Sequence, residues 1–129
     1  MIEIQTSVGE LFDKISILSI KKQKIIDVEK LKNIEKELVT LSEKAELLKS
    51  IDQESFHSFM DNLIQVNTKL WETEDRIRIL EKNQSFNEEF IVLARDVYFN
   101  NDKRFEIKSS VNKFYNSDIV EEKQYEKYI

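Results

Sequence analysis

No proline and a single glycine occur in 129 residues, and this scarcity narrows the fold more than any motif does. Tight chain reversals draw on glycine for positive φ and on proline for a preset φ. A sheet of short strands would need such a turn roughly every ten positions. The chain is therefore expected to form a few long elements separated by short breaks. With 35% charged and 40% hydrophobic residues, those elements read as amphipathic helices. At this length one domain, residues 1–129, can bury a real core. The expected fold is all-α: an antiparallel bundle of four long helices, or five, with a short extended N-terminal arm.

In the arm, residues 1–6, Ile2 and Ile4 alternate with polar neighbours, as in an extended segment docked along a bundle. Ser7 and Glu10 then have the spacing of a capping box, and Gly9 lies in the first turn, where a missing Cβ permits a close approach. Val8, Leu11, Ile15, Leu18 and Ile25 keep helical spacing and place the first helix at about 8–25. Asp27 suits the cap of a second helix carrying Leu31, Ile34, Leu38, Leu41, Ala45 and Leu48. Ser50 or Asp52 suits the cap of a long third helix, with Phe56, Phe59, Leu63, Val66, Leu70, Ile77 and Leu80 in phase. Ser85 and Glu88 form a second capping box, before Phe86, Phe90, Leu93 and Val97. Ile107, Val111 and Phe114 stay in phase with these, which favours one helix to about 115, although Asp102 could cap a fifth. The tail, 116–129, either folds back on the bundle or stays mobile.

The formal net charge is −5. Phosphate neutralisation wants a basic face, so nucleic acid is not an expected partner. Without cysteine there are no disulfides, thiol nucleophiles or cysteine zinc sites. A cytoplasmic location is expected, with no membrane span and no signal peptide, because no stretch is apolar for long enough. His57 is the only histidine, which removes histidine-pair catalysis. The P-loop, the nucleophile elbow and the dinucleotide fingerprint do not occur.

Polar residues in apolar phase are the informative ones. On the third helix Asn67 and Glu74 fall within the Leu63–Leu70 arc, flanked by Trp71 and Arg78. On the first, Lys22 falls on the Leu11–Ile15 face, while Asp13 projects away from it between Ile17 and Ile20. On the fourth, Arg104 and Lys108 lie on the Leu93–Val97–Val111 face, beside Asn101. Such groups must meet partners, because a lone buried charge costs several kcal/mol. They read either as a satisfied polar layer that fixes register or as a pocket between helices. Trp71, Glu74, Asp75, Arg78, Arg95, Tyr98, Asn101, Arg104 and Lys108 are the candidate binding residues. Aromatic faces and guanidinium forks suit an anionic sugar or a phosphate. Ile17 and Ile20, apolar on a second face, suggest a homodimer.

Two acidic sets bear on an enzyme reading. Glu43/Glu46 and Glu72/Asp75 match the spacing of the all-α nucleoside-triphosphate pyrophosphatases, but Glu43, Glu46 and Glu72 point away from the expected core. Glu74 and Asp75 with Glu10 or Asp13 form another set, since Mg²⁺ needs only one or two carboxylates plus substrate phosphates. No metal site follows from spacing alone.

The stretches "GELFDKISILSIK", "LWETEDRIR", "LARDVYFNNDKR" and "SDIVEEKQY", with Lys108 and Asn112, resemble an uncharacterised family of short bacterial and phage helical proteins, a domain of unknown function. The likeness spans nearly the whole chain. The positions that mark the family fall on Gly9, Glu10, Asp13, Lys14 and Lys21, then on Trp71, Glu74, Asp75 and Arg78. They continue at Arg95, Tyr98, Asn101, Asp102 and Arg104, and end at Glu121, Glu122, Lys123 and Tyr125. The resemblance implies an association with surface-polysaccharide and glycosyltransferase genes, and no catalytic residue. Two functions are therefore expected to compete. One is a soluble helical binding or scaffold protein, serving cell-envelope polysaccharide assembly. The other is a metal-assisted enzyme, with Mg²⁺, acting on a phosphorylated or nucleotide-linked sugar.

Overall fold

The computed structural model describes residues 1–128. Four helices follow in order: α1 (Val8–Lys24), α2 (Val28–Ile51), α3 (Gln53–Lys82) and α4 (Glu88–Phe114). No strand occurs among the described residues. Each helix starts on a side-chain oxygen that accepts a hydrogen bond from a first-turn amide. Ser7 Oγ accepts from Glu10 at 3.1 Å, Asp27 from Lys30 at 2.9 Å, Asp52 from Ser55 at 3.1 Å and Asn87 from Phe90 at 3.1 Å. The fourth cap corrects the expected Ser85 box, since Asn87 takes that role two residues later. Asp102 caps nothing, and α4 is one helix of 27 residues.

The long α3 and α4 run antiparallel, with Arg76 against Glu89 near one end and Phe59 against Phe114 near the other, and α1 is the central helix, packed against α2, α3 and α4. Phe12 is wholly buried at the centre of the core, with the Phe56 ring 5.0 Å and the Tyr115 ring 5.4 Å from its own. Ile15, Ala45, Met60, Leu63, Val66 and Val111 complete it. The α2 helix is the peripheral element: of its 24 residues only Ile34 and Ala45 are buried. Ion pairs from Lys14 to Glu37 (3.7 Å) and from Lys22 to Glu35 (3.0 Å) tie it to α1. Both pairs are half-exposed, so each contributes at most about 1 kcal/mol.

The central position of α1 overturns several expectations at once. Asp13 does not project outward; it is 1% exposed. Ile20 is buried and Ile17 half-buried within the chain itself, so the two do not form an exposed second face. Lys22, near the end of α1, is exposed, and Glu74 on α3 is exposed as well. Ile2 and Ile4 stand exposed instead of docking along the bundle.

Past α4 the chain turns through Asn116, at φ 53°, and folds back. The Ser117 amide donates to the Asn112 carbonyl at 2.9 Å, closing the last helical turn. The returning segment then lies along α4. Lys123 Nζ sits 5.2 Å from the Phe105 ring centre, and the Tyr128 ring packs 5.1 Å from Phe99 and 5.4 Å from Tyr98. The Tyr128 hydroxyl donates to Asp102, and that bond pushes the phenol up to about 12.

Candidate functional site

On α4 the residues Arg104, Lys108 and Asn112 fall four apart, on the face turned to α1. Each meets a polar partner there. Arg104 Nε donates to Asp13 Oδ1 at 2.9 Å and its Nη2 to Oδ2 at 2.5 Å, a bidentate pair. One turn on, Lys108 Nζ lies 2.8 Å from Glu10 and 3.2 Å from Glu121, which the returning tail supplies. Glu10 therefore reaches a cation on α4, not back to the Ser7 amide as a capping box would have it. A further turn on, the Gly9 amide donates to Asn112 Oδ1 at 2.6 Å, and the Val8 amide donates to Ser117 Oγ at 3.1 Å. The first orphan amides of α1 are thus satisfied from α4 and the tail.

Gly9 permits this closeness. A Cβ at that position would stand 2.5 Å from the Lys108 carbonyl oxygen. Glycine is needed here for the approach of two backbones, as its φ is not positive.

Asp13 is bound from α3 as well. Asn67, 6% exposed, donates through Nδ2 to Asp13 Oδ1 at 2.9 Å and to Ser16 Oγ at 2.8 Å. Ser16 Oγ in turn donates to the Asp13 carbonyl at 2.6 Å. A buried carboxylate costs several kcal/mol unless its oxygens are filled, and here both are. The Asp13 hydrogen bonds push the Arg104 guanidinium up, outweighing its own desolvation. For Lys108 burial pulls the ammonium down, yet the hydrogen bonds to Glu10 and Glu121 and the charges of Glu10 and Asp13 leave it raised overall.

Beside this polar layer a cleft of about 510 Å³ opens between α1, α3 and α4. Ile17, Ile20 and Leu70 form its apolar wall. Asn67, Trp71, Glu74, Asp75 and Arg78 line it from α3, Asn101 and Arg104 from α4. Six of the candidate binding residues are brought together: Trp71, Glu74, Asp75, Arg78, Asn101 and Arg104. The other three lie elsewhere. Lys108 is enclosed between Glu10 and Glu121, Arg95 stacks its guanidinium 5.5 Å over Phe99, and Tyr98 packs on Tyr128.

The acidic sets are not assembled. Asp13 is committed to Arg104 and Glu10 to Lys108, which leaves Glu74 and Asp75 in the cleft. Glu43 and Glu46 line a shallow groove on the outer face of α2, away from Glu72 and Asp75 on α3. Among the described residues no group of three or more His, Cys, Asp or Glu side chains is gathered as a metal would need.

The comparison that decides the family covers residues 2–129, almost the full chain. The chain belongs to DUF6165, a family of unknown function. No curated protein and no solved structure matches it. As a DUF6165 protein it is a four-helix chain with no helix long and apolar enough to cross a membrane among the described residues.

Proposed function

We propose that this DUF6165 protein is a helical binding module, whose ligand site is the cleft beside Trp71. The observation that carries this reading is the division of labour around Arg104. Its inner edge is fixed by a buried carboxylate, while the side chain remains about 29% exposed and lines the cleft with Asn67, Asn101 and Trp71. A polar group locked by its neighbours and turned toward an open concavity is how a preorganised binding surface is built. A purely structural layer would not require an adjacent opening with an indole on its wall.

A saccharide suits the cleft, with an apolar wall and an indole for the ring and amides and carboxylates for hydroxyls. The link to envelope polysaccharide that the resemblance implies agrees with this ligand class, and a role in polysaccharide assembly in the cytoplasm is part of the proposal. Thermal-shift screening of saccharides against wild type and Trp71→Ala tests it. A sugar that raises the melting temperature of wild type but not of the variant supports the site. Equal shifts in both proteins would place binding elsewhere.

The enzyme reading retains one specific observation: Glu74 and Asp75 both line the cleft, and neither is in an ion pair among the described residues. Two carboxylates suffice for Mg²⁺ when a substrate phosphate completes the shell. Mg²⁺-dependent turnover of a sugar phosphate or nucleotide sugar, lost in Asp75→Asn, would establish it over the binding module.

A further inference from the structure

The charge of the cleft differs from what its residue types suggest. Arg104 looks like an anion ligand, but its charge is matched inside the protein by Asp13, at 2.5 and 2.9 Å. Lys108 is likewise matched, by Glu10 and Glu121. The unmatched charges on the cleft wall are two carboxylates, Glu74 and Asp75, against one guanidinium, Arg78. The local balance is therefore slightly negative, in a chain whose net charge is already −5. A phosphate entering this space would meet like charge, which carries a penalty at close range.

The hydrogen-bonding character of the wall survives this neutralisation. Arg104 uses Nε and one Nη2 hydrogen on Asp13, so its remaining N–H groups are available as donors at no net charge. Asn67 spends Nδ2 on Asp13 and Ser16 and keeps its Oδ1 as an acceptor. Fixed donors and acceptors beside an indole, with two carboxylates able to accept from hydroxyls, suit an uncharged polyol.

We infer that the cleft takes an uncharged saccharide ring in preference to a phosphate ester, and that Asp13 is the positioning residue that sets this preference. The inference rests on the reading of the cleft as the ligand site and narrows it to a charge class. Asp13 itself touches no ligand: it cancels the Arg104 charge and aims its free edge.

Trp71 is the only tryptophan in the chain, so its emission reports from the cleft wall directly. Glucose and N-acetylglucosamine would be titrated, each beside its anomeric phosphate ester, with inorganic phosphate alone as a further arm. The expected result is a saturable change with at least one parent sugar, and binding about tenfold or more weaker for its ester. Asp13→Asn leaves the Arg104 charge unmatched, and should narrow or reverse that gap while circular dichroism stays helical. If Asp13→Asn does not fold, the exposed pair Glu74→Gln/Asp75→Asn should narrow the gap by removing the two carboxylates. An ester that binds as tightly as its parent sugar in wild type would overturn the inference and leave the site intact. So would a gap unchanged in every variant that folds. Silence of Trp71 toward sugars, esters and phosphate alike would remove the site, and the inference with it.

Discussion

Asp13 is the residue on which the α1–α4 contact and the cleft both depend. Removing it leaves the half-buried Arg104 without an acceptor and the buried Asn67 with Ser16 alone, so Asp13→Ala should destabilise the fold by about 3–5 kcal/mol in urea melts. Replacing both partners, as in Asp13→Leu/Arg104→Met, should cost clearly less than Asp13→Ala alone, because no charge is then stranded. A double variant as unstable as the sum of its singles would show that the two residues act independently. Lys108 contributes in a defined pH window. Its pKa is raised by folding, so its stabilisation is complete below the unfolded value of about 10.4 and is lost as pH climbs through the folded one. The alkaline limb of stability against pH should accordingly flatten in Lys108→Met. An unchanged limb would mean that the ammonium gains nothing from Glu10 and Glu121.

Which of these residues could be read in advance depended on what surrounds each helix. Arg104, Lys108 and Asn67 stood out as polar groups in apolar phase, and all three face inward. Asp13 did not, because a single apolar stripe marks the inner face only of a helix that has an outside. With three neighbours around it, α1 turns Asp13 toward α3 and α4. Glu74 failed for the opposite reason. The inward residues of α3 drift from Leu63 to Val66, Thr73 and Leu80, since α4 is its main neighbour and sets the buried side. Glu121 had no periodic signal at all, as it sits in an irregular tail; only the family resemblance pointed to it.

At the scale of elements, the caps Ser7, Asp27 and Asp52 were legible while Asn87 was not, and the close approach of α1 and α4 was foreshadowed by the lone glycine. Gly9→Ala sets two effects against each other. Alanine favours the helix by about 1 kcal/mol, while a Cβ 2.5 Å from the Lys108 carbonyl must push backbone against backbone. Overpacking of this kind costs about 1–3 kcal/mol, and backbone yields less readily than a side chain, so net destabilisation is expected. A melting temperature at or above wild type would show that α1 can move off α4 freely. The α3–α4 turn offers a contrary case. Gln84 takes φ 51°, and bonds from Gln84 to the Glu81 carbonyl (3.0 Å) and from Ser85 to the Leu80 carbonyl (2.8 Å) close the helix end. A side chain there costs about 1 kcal/mol relative to glycine. Gln84→Gly should stabilise the protein by up to about that amount, a change that a denaturant midpoint would register.

For the whole molecule, the composition fixed an all-α bundle because long elements without proline or glycine have few alternatives. The order of packing was not written there. That α1 sits at the centre and α2 at the edge follows from contacts between helices, which no single-helix pattern encodes. The cleft was legible only as a vocabulary, and its charge only once Asp13 was seen against Arg104. Backbone amide and indole chemical-shift mapping, with a neutral saccharide titrated into labelled protein, reports on the cleft residue by residue. Saturable shifts are expected on the Trp71 indole, Asn67, Asn101 and Arg104, with α2 unperturbed. Shifts clustered on the outer face of α2, or scattered without saturation, would contradict a ligand site in the cleft.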